Sequence, residues 1–337
     1  MKDLARELKT TPSTISRAMK DHPRISASMK RKVLALAKKH NYKVNSFAAG
    51  LRMGKSNTIG VIVPRINRDF FSNVISGIEE IAFDSDLNVL ICQSHDIIEK
   101  EAEHVNTLIS NSVGGILVSV GLETKTTEHF KKALDAGIPL IFFDRVAENI
   151  DTVKIINNDR DGAFKAVDHL VKQGYKRIAH FGGPSYINIY RERKAGYIEA
   201  LEANNIPVDK SLIVENDLKL ESGKIDMEKL MKSDNPPDAL FSASDYSALG
   251  GLLYLKENGY KIPEDIGVVG YSNEQWTQLI SPSMTTIDQH AKEMGRFSAK
   301  VFIEEITDAN KSNISRTVRL EPELIIGEST NRIRKNF

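Results

Sequence analysis

The sequence predicts a two-part α/β protein: an N-terminal three-helix helix-turn-helix unit with a hinge helix, then a two-lobed body built on parallel sheets. Three observations predict it. Charge is segregated, because residues 2–55 hold 14 Lys and Arg against three acids, a formal +11. The 337-residue chain is only +1, so the remainder carries −10, with 32 basic and 42 acidic residues. A compact basic end on an acidic body is an electrostatic footprint for a polyanion, with a solvated basic face as the bland alternative. The second observation is three short helical patterns within the first 40 residues. The third is an alternation of short β-branched runs with helical stretches from residue 59 onward, which implies right-handed βαβ units and parallel sheets.

The first helix is predicted over residues 2–8, where Leu4, Ala5 and Leu8 recur at helical spacing. Thr10-Thr11-Pro12 interrupts it. Thr11 suits an N-cap, and Pro12 suits the first helical position, where its missing N–H has no partner anyway. A second helix over 13–19 turns Ile15, Ala18 and Met19 inward and Pro12, Ser13 and Arg17 outward. A loop with Arg24 follows, and Ser26 caps a third helix running to about residue 40, with Met29, Val33, Leu36 and Ala37 as its buried stripe. This is a helix-turn-helix whose second helix enters the major groove. Arg17 can read guanine or hold a phosphate, and Thr11, Thr14 and Ser16 can donate to phosphates, which position without specifying. The alternative is a three-helix protein-binding module.

Asp3-Leu4-Ala5, Thr11-Pro12-Ser13-Thr14-Ile15-Ser16-Arg17-Ala18, Asn41-Tyr42-Lys43-Val44-Asn45 and Ala48 with Leu51-Arg52 together resemble the LacI/GalR family of bacterial transcription regulators. The resemblance runs along nearly the whole chain. It implies that Tyr42, Asn45, Ala48, Leu51 and Arg52 join the DNA contacts. It also implies that residues 45–56 form a hinge helix and linker whose Leu51 wedges into the minor groove beside its counterpart from a second subunit. Nine residues are too few for a helix alone in water. Gly50 weakens this one by roughly 1 kcal/mol. It is therefore expected to fold only when paired on DNA. Three departures stand out. Lys9 occupies the family's turn-glycine slot, Thr10 a small apolar slot, and Met29 the slot of a capping-box acid. The chain also starts several residues later than many members.

In the body, strands are predicted at 59–64, 88–93, 115–120, 138–144, 153–157, 178–182, 239–243 and 266–270. Helical intervals include 70–84, 100–111, 160–173, 191–204 and 246–258. About 280 residues exceed one typical core, so two subdomains are expected. The landmarks Phe70-Phe71, Phe143-Asp144-Arg145, Gly182-Gly183-Pro184, Arg191-Glu192-Arg193 and Thr285 to Gln289 resemble the family's effector domain, itself similar to periplasmic sugar-binding proteins. The resemblance implies a DNA-binding domain at 1–44 and an effector domain at 57–330. Lobe one would take 57–156 and 289–315, and lobe two 157–288 and 316–330. The ligand cleft lies where strand C-termini face each other.

The resemblance places Asp144 and Arg191 in effector hydrogen-bonding slots, one per lobe, with Phe70 and Phe71 as a ring platform and Gln289 at a lobe crossover. Ser244 stands where the family commonly has Asn, and Ser272-Asn273 where an Asp-Asp or Asp-Asn pair is common. Trp276, the single tryptophan, is a candidate stacking residue. Tyr190, Asn188 and Arg145 are neighbours that could face the cleft or the surface.

Enzyme signals are weak. Gly182-Gly183-Pro184 and Gly250-Gly251-Leu252 fit neither the dinucleotide nor the P-loop spacing. The eight His show no close ligand pair, and no Gly-x-Ser-x-Gly elbow occurs. No metal and no cofactor is expected. A single cysteine, Cys92, fits a reducing cytoplasm. The charged amino terminus lacks a signal-peptide core, and no apolar run reaches ~18 residues, so no membrane partner is expected. The chain ends without a leucine heptad, which implies a homodimer on a near-palindromic operator. The expected function is a small-molecule-controlled repressor responding to a sugar or sugar derivative, with a purine-like base as the weaker choice, since the Phe70-Phe71 platform allows either. The alternative is a solute receptor or cleft enzyme carrying a basic module.

Overall fold

The computed structural model describes residues 2–19, 21–40, 56–307 and 315–332. The chain divides into two units, residues 1–56 and 57–337.

The first unit is three helices: α1 (Lys2–Glu7), α2 (Pro12–Met19) and α3 (Ala27–Lys39). Local chemistry sets their ends. The Thr11 hydroxyl accepts from the Thr14 N–H at 3.2 Å, and Ser26 accepts from the Met29 N–H at 3.3 Å, so α2 and α3 each start at a side-chain cap. After α1 the chain turns through Lys9 at φ +48°, and the Thr10 N–H reaches back to the Ala5 carbonyl at 2.8 Å. That is a left-handed helix stop of the kind glycine usually supplies. Leu4, Ala5, Ile15, Ala18, Val33, Leu36 and Ala37 form the core, with Leu8, Met19, Ile25 and Met29 packed around it.

The second unit has two parallel sheets. The first contains β1 (Thr58–Val63), β2 (Asn88–Gln93), β3 (Gly115–Val118), β4 (Leu140–Phe143), β5 (Val153–Asn157) and β11 (Thr317–Leu320), in the order β11-β5-β4-β3-β1-β2. The second contains β6 (Ile178–Gly182), β7 (Ile213–Glu215), β8 (Ala239–Ser242) and β9 (Gly267–Val269), in the order β7-β6-β8-β9. A short antiparallel pair, β10 (Thr286–Asp288) with β12 (Glu323–Ile325), runs beside the crossovers. β1, β3, β4, β6, β8 and β9 are fully buried, as expected for parallel strands covered on both faces.

Helices cover the sheets in pairs. On the first, α4 (Asp69–Asp84) packs on α11 (Ala291–Thr307), and α5 (Ile98–Ser110) on α6 (Glu128–Asp135). On the second, α7 (Asp159–Lys172) packs on α8 (Asn188–Ala203), and α9 (Leu220–Met231) on α10 (Asp245–Glu257). The α4–α11 crossing is close because glycines meet backbone. A Cβ on Gly77 would lie 2.1 Å from the Lys292 carbonyl oxygen, and one on Gly295 would lie 2.0 Å from that of Val74.

One expected boundary is corrected. The resemblance places residues 316–330 in the second lobe, but Thr317–Leu320 pairs with Lys154–Asn157 and extends the first sheet. The chain changes sheet after Leu320, and the first lobe keeps β11 as its edge strand. Among the described residues no helix is long and apolar enough to cross a membrane, and no cluster of three or more metal-ligating side chains occurs.

Candidate functional site

On the first unit, Thr11, Pro12, Ser13, Arg17 and Arg24 are exposed, and Thr14 and Ser16 are half-exposed. The Thr11 hydroxyl lies 2.8 Å from that of Ser13 and 2.9 Å from that of Thr14, in addition to capping α2. Its first role is thus to hold the start of α2. Arg17 extends from the last turn of α2 with no hydrogen-bond or ion-pair partner among the described residues, leaving its five donors available. Tyr42, Asn45, Ala48, Leu51 and Arg52 lie outside the described residues.

On the second unit, a cavity of about 600 Å³ opens at the C-terminal ends of the strands. Eight of the ten strands in the two sheets reach it through the loop that follows: Arg65 after β1, Asp96 after β2, Leu122 after β3, Asp144 after β4, Pro184 after β6, Asn216 after β7, Ser244 after β8 and Ser272 after β9. Open α/β sheets bind ligands at this position, because the loops there are free to vary while the strands hold them rigidly.

Asp144 lies at the floor. Its backbone is in the left-handed region, φ +59°, pinned by its own N–H to Ile155 O at 2.9 Å and by the Asn188 amide on its carbonyl at 3.0 Å. Its side chain is buried, with the Ser119 hydroxyl 3.4 Å away. Burial pushes its carboxyl up to about 6, against the pull of Arg145 and Arg193. Asp96, next to it, behaves oppositely. Burial raises it, but Arg145 at 2.8 Å and Arg65 at 2.8 Å outweigh that and hold it below the ordinary carboxylate value. Arg145 also donates to the Tyr190 hydroxyl at 3.1 Å. Two carboxyls in one cavity are thus shifted in opposite directions because only one has guanidinium partners in contact.

Phe70 and Phe71 line the cavity as an edge-to-face pair with centroids 5.1 Å apart. Gln289 is 2 % exposed, and its amide nitrogen has no partner, so a buried donor is available at the cavity wall. Ser244 and Ser272 also line it, Ser272 at φ +129°. Across the mouth, the Asp69 N–H donates to Glu274 at 3.2 Å, and the Gln275 N–H donates to Asp69 at 2.8 Å. This reciprocal clasp joins the two lobes. Burial raises the Glu274 carboxyl to about 7.

Two expected site residues are corrected. Arg191 does not line the cavity. Its guanidinium is 40 % exposed and pairs with Glu148 at 2.7 Å. Arg193 takes the inner place, 3 % exposed, bonding Asp159 at 2.8 Å through both Nε and a terminal nitrogen and the Ala243 carbonyl at 2.8 Å. Its guanidinium also sits 3.7 Å from the Tyr271 ring centroid. The reason is helical periodicity: on α8 the inward stripe is Tyr190, Arg193 and Tyr197, and a residue two positions from Arg193 faces away. That stripe was present in the sequence. Trp276 is the second correction. It packs edge-on against Tyr246, with centroids 5.5 Å apart, and onto the buried apolar core. Tyr246 stands at the wall instead, with the Arg68 guanidinium 3.4 Å over its ring. Asn188 works behind the wall, bonding the backbone of Asp144 and Val146. Asp96, Arg65, Arg68 and Glu274 were missed. Their signal was position, a few residues past a strand end.

Comparison with known proteins assigns both units. The family description "Bacterial regulatory proteins, lacI family" matches residues 1–45, and "Periplasmic binding protein-like domain" matches residues 167–330. The HTH-type transcriptional repressor CytR of Escherichia coli is 31% identical over 330 residues, covering 98% of this chain and 96% of that protein. The chain belongs to the LacI family. The lac repressor dimer bound to operator and the anti-inducer ONPF superposes with a TM-score of 0.84 at 25% identity, covering 97% of this chain and 98% of that one. A LacI family regulator from Enterococcus faecium with bound ribose gives 0.73 at 27% identity, covering 82% and 99%. This LacI-family chain is therefore a DNA-binding transcriptional repressor with an effector domain, and its relatives are regulators rather than enzymes.

Proposed function

We propose that the repressor is controlled by a sugar or sugar derivative bound in the cavity of the second unit. One observation carries this reading: Asp144, Arg193 and the Gln289 amide, whose nitrogen is unpartnered, line one cavity together with the Phe70–Phe71 pair. Carboxyl, guanidinium and amide groups recognise hydroxyls by directed hydrogen bonds, and ring faces cover the apolar face of a sugar. A volume of about 600 Å³ admits a monosaccharide with room for a substituent. The ribose held by the Enterococcus faecium neighbour supports the class.

In this reading the repressor works as a cytoplasmic homodimer on a near-palindromic operator. Ligand stabilises one arrangement of the lobes, and the DNA-competent population shifts in proportion to the ligand's differential affinity. A coupling of ~1–3 kcal/mol changes operator affinity about 5–150-fold. The test is a panel of sugars, starting with ribose, scored by calorimetry and by operator titration. A sugar that binds and shifts operator affinity supports the reading. Asp144→Ala should remove that response while leaving DNA binding intact. A panel in which no sugar binds but a ligand of another class does would overturn it.

A further inference from the structure

A second cavity, of about 580 Å³, lies on the first sheet's β5–β11 edge, where the chain crosses to the second lobe. Lys154 and Arg319 face it from neighbouring strands; Lys154 is in register with Thr317, and Arg319 with Ile156. Alternation along each strand puts Lys154, Ile156, Thr317 and Arg319 on one face, and Asn157 joins the lining from the end of β5, where the alternation stops.

Three groups there lack the partners their burial or charge calls for. Lys154 is 9 % exposed, and its ammonium donates only to the Ile150 carbonyl, at 2.6 Å. Among the described residues no carboxylate lies within ion-pair distance of Lys154 or of Arg319. Asn157 is 4 % exposed, and neither its amide oxygen nor its amide nitrogen has a partner. Native proteins seldom leave a buried amide so, and a buried ammonium without a counter-ion is costly. The acids in the cavity are already engaged: Glu148 with Arg191 at 2.7 Å, Asp159 with Arg193 at 2.8 Å, and Glu192 with Arg160 at 3.0 Å. Lys154 is attracted by Glu148 and Asp151 only from beyond ion-pair distance, so its ammonium still lacks a contacting anion. The N-terminus of α7 opens onto the same space, and its cap residue Asn158 bonds Glu321 rather than the helix.

We propose that this cavity is a second ligand site, which takes a small oxyanion, the phosphate or carboxylate group of a metabolite, between Lys154, Arg319 and the Asn157 amide. Its position makes it regulatory. One wall is the first lobe's edge, and the other is the start of α7 and α8 on the second. Asp159 lines this cavity while its partner Arg193 lines the cleft, so one ion pair separates the two sites.

The test is thermal unfolding of the full chain with sodium phosphate or sodium malonate, each against sodium chloride at matched ionic strength. The expected result is a rise in Tm with at least one anion beyond that given by chloride. Phosphate alone would mark a phosphorylated ligand, and malonate alone a carboxylate. Lys154→Met should weaken the anion about tenfold or more, the loss expected for a charge-assisted bond. Arg319→Gln, at an exposed position that tolerates change, should weaken it too and covers the case in which Lys154→Met fails to fold. Asp144→Asn should retain the full response, because the cleft is not involved. No anion effect beyond chloride, a full effect in both Lys154→Met and Arg319→Gln, or a loss in Asp144→Asn would each overturn the proposal.

Discussion

The two units present their functional side chains in opposite ways. On the DNA-reading unit they are exposed and only loosely held: Arg17 leaves the last turn of α2 with no side-chain partner among the described residues, and Pro12 and Ser13 stand on the surface, Ser13 bonded only to the Thr11 hydroxyl. In the effector unit they are buried and tied to one another. Arg193 holds Asp159 and the Ala243 carbonyl, and Asp96 holds Arg65 and Arg145. A flexible exposed side chain adapts to a large partner and costs the fold little. A buried polar side chain gains precision for a small ligand but becomes part of the core. Mutations should therefore separate the units, costing stability in one and only binding in the other.

The largest effect is expected at Arg193. Arg193→Ala strips the counter-ion from Asp159, itself 3 % exposed. Breaking a buried pair on one side typically costs about 3–5 kcal/mol, so urea unfolding should show a loss of that order along with loss of the effector response. Arg191→Ala, two residues away at an exposed pair, should cost under about 1 kcal/mol. Equal losses at the two positions would remove the distinction between them.

Asp144 comes next, and its effect depends on pH. Its folded carboxyl titrates near 6, pushed there first by burial, whereas an unfolded aspartate titrates at about 3.8. The folded state therefore binds more protons between those values. Stability is favoured below the unfolded value and is lost as pH rises through the folded one. Above pH ~6 the cost approaches roughly 2–3 kcal/mol, at 1.36 kcal/mol per unit. Asp144→Asn carries no such charge. It should match the parent near pH 4, exceed it increasingly up to about pH 7 and hold a constant margin above that. Parallel stability profiles would show that Asp144 is not held in a dry site.

These contrasts also explain what the sequence made legible. Helix starts at Thr11 and Ser26 and the buried strands were readable because their causes are local: a cap, a proline, a β-branched run. The surface of α2 was readable for the same reason. The cavity was readable only where a strand end announced it, as at Asp144. Choosing Arg193 over Arg191 required the helix stripe, and placing Trp276 required knowing that Tyr246 stands in front of it. The edge strand Thr317–Leu320 alternates half-buried and exposed residues and pairs with a segment some 160 positions earlier, so nothing nearby marks its sheet.

On the DNA-reading unit, Arg17→Ala should leave stability within about 0.5 kcal/mol, as for surface positions generally. It should cost about 1–3 kcal/mol of operator discrimination if Arg17 reads a base. If it holds only a phosphate, binding should fall evenly across sequences and the salt dependence should flatten by about one unit of slope. Loss of sugar affinity in the same variant would break the separation between the units.

The smallest effect lies where the first unit departs from its own rule of low strain. Lys9 stops α1 at φ +48°, a backbone region that costs a side chain about 1–2 kcal/mol and glycine almost nothing. Part of that gain is returned, because glycine loses more conformational freedom on folding. Lys9→Gly should therefore stabilise the first unit by roughly 0.5–1 kcal/mol. The two units need not unfold together, so the readout is amide exchange at Ile15, Val33 and Leu36, which sit in the first unit's core. Slower exchange there, with no change at Phe142 or Val268 in the body, is the expected result. The charge removed with Lys9 should weaken DNA binding slightly through long-range electrostatics, so stability and affinity should move in opposite directions. If exchange quickens instead, the Lys9 side chain contributes packing that outweighs its backbone strain, and the turn is held by more than its hydrogen bonds to Arg6 and Ala5.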